Sequence, residues 1–508
     1  MTKFVDGLQK ETDRAYTGNG DITYKDTLSA NLDLFSKAGG ARGNDFYFDI
    51  STSAMDYIEM FKEALNEDEN IALRNLLNIR DFRHSGKGER LLFRELISYL
   101  AQERPTIAKK LIESGIVEQL GRWDDLIFLF EYSYNQGYHM DVLNAIVKQI
   151  KQAMNETPVS LVYKWLPTNT RNKRVYKVAN ELYPMLGYHN FKEYRKDVSA
   201  HRKSLKLIET YLSDKDYDPI EVSHIPSRAF NKYQSALVRH IPDKMDKFYS
   251  EVSDGTKKVK VSGITPDEIV SPLINDLSCW WDDSSNINKS QMRLIEESWK
   301  EMIKNNKDIG NSLVVADVSG SMTGKPMEVS VSLAMLFGQA MTGEFHNTFM
   351  TFASTPQLIK LSDNDSLRES VKKVLHADWD TSTDIDAVFE KILDTAKNNH
   401  LEQKDMPERI VIISDMQFDS AVSDKPHIER WKESFKQAEY KLPTIVYWNV
   451  SSYNNSPATK DEENVALVSG FTQGTLDAVI NSKDITPASV MLEALNKPEY
   501  DIVDEILK

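Results

Sequence analysis

Between about Tyr57 and Phe248, apolar positions recur at intervals of three and four, as in Met60, Ala64, Ile71, Leu73, Leu76 and Leu77. That spacing lays an apolar stripe along a helix. The segment LLFRELISYLAQERP repeats the pattern and predicts a helix that ends before Pro105, whose ring and missing N–H stop the backbone ladder. TIAKKLIESG, WDDLIFLFEYSYN and MDVLNAIVKQIKQAM follow at short intervals. Helices joined so tightly predict stacked pairs, an all-α, HEAT-like solenoid, although the sequence carries no clean fixed-period repeat.

From Asn311 the period changes. SLVVAD, NTFMTFAS, RIVIISD, TIVYWNV and VALVSGF are β-branched apolar runs of strand length, and EVSVSLAMLFGQAMTG, DIDAVFEKILDTAKNN and HIERWKESFKQAEY between them have helical spacing. Strands alternating with crossover helices predict a Rossmann-like α/β domain, a mainly parallel sheet covered on both faces. SGITPDEIVSPLIND and WWDDSSNINKS look like connections, and QMRLIEESWKEMIKN like a helix leading into the sheet. The expected division is an N-terminal extension (1–44), poorly ordered unless it packs on another domain, then a helical domain (45–306) and an α/β domain (307–508).

The chain has 508 residues, 41% hydrophobic and 27% charged, so it is a folded multidomain protein rather than a disordered one. Its start has no secretory pattern and no window approaches the roughly 20 apolar residues of a membrane helix. A cytoplasmic protein with no membrane partner is expected. The single cysteine, Cys279, excludes a disulfide framework and any cysteine-rich zinc module, and reads as a small core residue beside Trp280. Nothing in composition or length speaks to oligomeric state.

Three pieces of the C-terminal half carry oxygen ligands. The first predicted strand runs into D-V-S-G-S, which puts Asp317, Ser319 and Ser321 on one loop, with Gly320 expected to let it turn tightly. TSTD offers Thr383 ahead of a helix that Asp384 is placed to cap, although Thr381 or Ser382 would serve if the register shifts. IVIISD ends in Asp415. In open parallel sheets, ligands gather beyond the carboxyl ends of the strands near the switch point. Two carboxylates and three hydroxyls suit a hard cation, Mg²⁺ or Mn²⁺, and leave it electrophilic enough to accept a further carboxylate or phosphate. The order D-x-S-x-S, then Thr, then Asp resembles the von Willebrand A family, which implies a metal-ion-dependent adhesion site built from Asp317, Ser319, Ser321, Thr383 and Asp415.

The helical half carries a second resemblance. NIRDFRHSGKGERLLFRELISYLA and LGRWDDLIFLF together resemble the TROVE-type domain of Ro ribonucleoproteins. YKWLPT, FKEYRKDVSAHRKSLKLIE, HIPSRAFNKY and D-V-S-G-S are similar to DUF2828, a Ro-like family of viruses, plants and fungi. The resemblance runs from about Asp45 to the end and implies a ring or horseshoe of helical repeats that holds small noncoding or misfolded RNA. SGKGER is not a phosphate loop, because the Walker spacing and its strand-to-helix setting are absent. Arg80, Asp81, Arg83, Lys87, Glu89 and Arg90 are read as helix caps and ion pairs.

Net charge is −15, which repels nucleic acid at long range, so an RNA partner requires a local basic surface. Between Val159 and Lys206 eleven Lys and Arg face three acids, an excess of eight positive charges. Lys164, Arg171, Lys173, Arg174 and Lys177 lie near Tyr163, Trp165 and Tyr176, a mixture that can pair phosphates and stack unpaired bases. The competing reading is a solvated face, or one paired with acids of the same chain. No Ser-His-Asp order and no H-E-x-x-H stand out, and two acids are few for a two-metal nuclease. The expectation is a non-catalytic protein that binds RNA through its helices and docks an acidic partner on the metal. The alternative is an adaptor or assembly factor that binds only proteins.

Overall fold

The computed structural model describes residues 13–39, 50–84, 86–137, 139–277, 287–306, 308–352, 355–377, 383–419, 425–451, 455–470, 476–482 and 485–508. Cys279, Trp280, Thr381 and Ser382 lie outside them. The chain forms two compact units, a helical one from residues 76–84, 88–248 and 498–508, and a sheet-bearing one from the segments up to 75, 85–87 and 249–497.

In the helical unit, the helix Arg90–Glu103 buries Leu92, Phe93, Leu96, Ile97 and Leu100, one face at helical spacing. It ends where expected, and Pro105 opens the next helix, Pro105–Glu113, at a position where a missing N–H costs nothing. The helix Trp123–Gln136 starts on a buried charge cluster. The Asp125 carboxylate accepts from the Arg122 amide at 3.1 Å and from Nε of both Arg80 and Arg94 at 2.7 Å. Asp81 accepts from the amides of Arg83 and His84 at 2.9 Å and from the Tyr500 hydroxyl at 2.9 Å. Caps and ion pairs therefore organise this turn.

The sheet unit contains β1 (Arg14–Tyr16), β2 (Ile22–Tyr24), β3 (Ser312–Ala316), β4 (Thr348–Thr351), β5 (Leu358–Lys360), β6 (Arg409–Ser414), β7 (Thr444–Asn449) and β8 (Val465–Ser469). Six strands form one mixed sheet in the order β5-β4-β3-β6-β7-β8, parallel except for the antiparallel edge strand β5. β3 is buried along its whole length because both faces are covered. Val314 and Ala316 pack with Val331 and Leu333 of the helix Lys325–Ala340, while Leu313 and Val315 share a second core with Phe389 and Trp431. The chain leaves β3 in one direction across the sheet and β6 in the other, so the strand order reverses between them. That crevice is where such sheets bind ligands.

The units do not divide at Asn44 and Lys307 as expected. Ile269, Val270 and Leu273 of the helix Pro266–Leu277 and Trp299 of the helix Lys289–Asn305 share the core of Val329 and Leu333. Their apolar faces make them part of the sheet unit rather than connections. The N-terminal segment packs, the case in which order was expected of it. Leu32 and Phe35 of the helix Ala30–Ala38 enter that same core, and β1 and β2 pair as an antiparallel hairpin. Among the described residues, no helix is long and apolar enough to cross a membrane.

Candidate metal centre

β3 and β6 are adjacent in register, Ala316 opposite Ile413, so the residues that follow them emerge side by side. The Asp317 amide continues the ladder to the Ile413 carbonyl at 2.9 Å. Its carboxylate, fully buried, accepts from the Ser319 amide at 2.9 Å and the Ser414 hydroxyl at 2.6 Å. The Ser319 and Ser321 hydroxyls are 3.0 Å apart, and Ser321 stands close enough to Asp415 to favour its charged form. Asp415, also fully buried, accepts from the Gln417 amide at 3.1 Å through Oδ1, whereas its Oδ2 has no hydrogen-bond partner among the described residues. Met416 between them takes φ 65°, a left-handed conformation that a side-chain-bearing residue adopts only when its surroundings hold it there.

Asp317, Ser319, Ser321 and Asp415 thus form one cluster. Thr383 meets it indirectly, its hydroxyl lying 2.9 Å from the Gln417 carbonyl. Gly320 does not play its expected part. It lies outside the left-handed region, and a Cβ there would meet open space. The glycine the loop requires is Gly324, at φ 90°, which starts the helix Lys325–Ala340. Asp384 caps its helix as expected, accepting from the Ala387 amide at 3.0 Å.

Burial, then the neighbouring Asp415 carboxylate, push Asp317 above the usual carboxylate range. Burial also raises Asp415, against Ser321 and the Gln417 amide, which favour its charged form. Two like charges out of water repel, and an unpartnered buried oxygen is costly. A divalent cation relieves both, so the donor set fits a hard metal. Among the described residues no three His, Cys, Asp or Glu gather as a metal cluster. The candidate set depends instead on two carboxylates with hydroxyls.

Three residues here escaped the sequence reading. Asp419 holds the Thr383 amide at 2.7 Å and its hydroxyl at 2.9 Å. Gln417 accepts from the Gly18 amide at 2.6 Å through its side chain, and Asn19 donates to the Thr383 hydroxyl at 3.0 Å and to the Gln417 carbonyl at 2.8 Å. Asn19-Gly20 between AYT and ITY is the hairpin signal that would have found the last.

The basic window lies in the helical unit. Lys164 pairs with Glu209 at 2.9 Å, Arg174 with Glu131 at 2.5 Å, and Lys177 donates to Asn135 at 2.7 Å. Arg171 and Lys173 are exposed and, among the described residues, have no carboxylate partner. Tyr163 is buried and stacked on His201, so it offers no face to a base. Tyr176 and Tyr134 are exposed and, with Lys173, Lys177, Asn180 and Glu181, line an open groove of about 560 Å³.

Residues 17–183 and 176–311 match a domain of unknown function, DUF2828, and residues 311–501 match another, DUF7788. The chain is also similar to uncharacterized protein L728 of Acanthamoeba polyphaga mimivirus, at 28% identity over 522 residues, covering 95% of this chain and 87% of that one. Because the DUF2828 matches together take in more than half of its length, the chain belongs to the DUF2828 family.

Proposed function

We propose that this protein is a non-catalytic binding protein with two working parts, a metal-dependent docking site of the von Willebrand A type in the sheet unit and an RNA-holding surface on the helical unit. The observation that carries the first part is the orphaned Asp415 Oδ2 beside the buried Asp317 and the Ser319 and Ser321 hydroxyls. Asp317, Ser319, Ser321 and Asp415, with Thr383, would hold Mg²⁺ or Mn²⁺, and the ion would supply an electrophilic point for an acidic group of a partner. With only two carboxylates among its ligands, the ion keeps net positive charge for that contact.

The second part extends the TROVE-like reading of the stacked helices and is favoured by the groove beside Lys173 and Tyr176. Exposed rings stack bases, and unpaired cations meet phosphates. A purely protein-binding adaptor would use the same metal site with no RNA. Crosslinking followed by RNA sequencing separates the two. Recovery of small structured RNA supports the two-part reading, and background recovery alone leaves the adaptor. Calorimetry tests the metal: Asp317→Ala and Asp415→Ala should each abolish Mg²⁺ binding with the fold retained, and unchanged affinity would refute the site.

A further inference from the structure

The loop of the N-terminal hairpin, Thr17 to Asp21, touches the sheet unit at points far away in sequence. Gly20 takes φ 94°, and the loop closes on itself through the Thr17 amide to the Asp21 carbonyl at 2.9 Å. The Thr17 hydroxyl donates to the Phe418 carbonyl at 2.7 Å. The Gly18 amide meets the Gln417 side chain, and a Cβ at Gly18 would stand 2.8 Å from that same oxygen. Asn19 reaches Thr383 and the Gln417 carbonyl. Asp21, 2% exposed, pairs with His427, and its other oxygen lies 3.8 Å from Arg430.

These contacts are almost all polar. Tyr16 of β1 is 69% exposed, whereas Tyr24 of β2 is 2% exposed and its amide donates to the Ser456 carbonyl at 3.0 Å, so β2 is seated and the loop before it is held by polar contacts alone. The loop Thr17–Asp21, fastened by hydrogen bonds and an ion pair rather than by a shared core, opens at lower free-energy cost than the strand that follows it.

What Asn19 does to Thr383 follows from the hydroxyl itself. The oxygen has one proton and two lone pairs. Two acceptors, the Gln417 carbonyl and Asp419 Oδ1, stand 2.9 Å away and compete for the proton, while the Asn19 Nδ2–H occupies a lone pair from 3.0 Å. That leaves one lone pair for a cation, and a cation approaching from the hairpin side would meet a positively polarised hydrogen already directed at the oxygen.

We propose that the hairpin loop Thr17–Asp21 is a displaceable intramolecular strap whose Asn19 competes with a divalent cation for the Thr383 hydroxyl, so that metal binding and loop docking oppose each other. This rests on the metal reading above. The strap then sets the metal affinity of the resting protein, and anything that pulls the loop away completes the site. Because linkage is reciprocal, the effect must appear from both sides.

The test uses the full chain with Mg²⁺ alone as the probe. Hydrogen–deuterium exchange over residues 13–24 should quicken at saturating Mg²⁺. Asn19→Ala, which removes one donor, should tighten Mg²⁺ binding by about threefold to tenfold in calorimetry, the worth of a single hydrogen bond. Asp21→Asn, which loosens the other anchor, should shift both readouts the same way. If Mg²⁺ binds but exchange over 13–24 is unchanged, and both variants bind it as the wild type does or more weakly, the strap is overturned and the metal site stands. If the wild type takes up no Mg²⁺, the metal reading falls, and the competition with it.

Discussion

Asp125 and Asp415 are buried carboxylates at comparable places, each near the start or end of a regular element, one in each unit. Their surroundings differ. Asp125 is met by two guanidinium groups and a backbone amide, so its charge is balanced by the chain itself. Asp415 accepts from one amide, keeps an oxygen with no hydrogen-bond partner among the described residues, and has a second carboxylate nearby that repels it. A balanced buried carboxylate is part of the scaffold. An unbalanced one has room for a cation, and on the proposed function that is what sets Asp415 apart from Asp125.

The sharpest way to break the comparison is to remove each acid in turn. Asp125→Ala leaves the buried Arg80 guanidinium, 2% exposed, without its partner, which should cost about 3–5 kcal/mol and unfold the helical unit at lower denaturant. Asp415→Asn in metal-free protein should cost little in the same titration, because it removes a repulsion. Mg²⁺ at a hundred times its Kd should then stabilise the wild-type sheet unit by about 2.7 kcal/mol, read as a rise in Tm, and leave Asp415→Asn unmoved.

A smaller effect belongs to His427. Burial works against its charged form, but hydrogen bonds with Asp21 and Asp386 outweigh it and raise its pKa above the ordinary value. Asp21 faces it from the hairpin loop and Asp386 from the helix Ile385–Asn398, with Arg430 one turn along its own helix, His427–Gln437. Because the folded value is raised, this contribution is complete below about pH 6.5 and is lost as pH rises through the folded pKa. Exchange over residues 13–24 should therefore quicken at alkaline pH beyond its intrinsic rise, and His427→Gln should flatten that excess. The smallest effect is expected on the basic window. Reversing Arg171 or Lys173 should lower the salt dependence of RNA binding by about one unit of slope each. Reversing Arg174, held by Glu131, should change it less.

Much of this architecture was legible in the pattern of apolar positions. Five strands of the sheet are β-branched runs, because strands covered on both faces leave no room for polar alternation. β5 escaped because Leu358 and Lys360 lie exposed on an edge and carry no such run. The family match changes at residue 311, just where the period changes. Packing still draws Ile269 and Trp299 into the sheet unit, since tertiary contact rather than period decides which core a helix joins. Within the site, Asp317, Ser319, Ser321 and Asp415 were legible because they follow strand ends in a fixed order. Asn19 was not, because its role comes from a hairpin loop that lands hundreds of residues downstream, and neither were Gln417 and Asp419, which act through Thr383 on a different loop.

The most direct test of the metal centre is the anomalous scattering of Mn²⁺ in crystals of the full chain. One strong peak is expected within coordination distance of the Ser319 and Ser321 hydroxyls, beside Asp317 and Asp415. A well-ordered site with no peak there, or Mn²⁺ bound only at other acids, would contradict it.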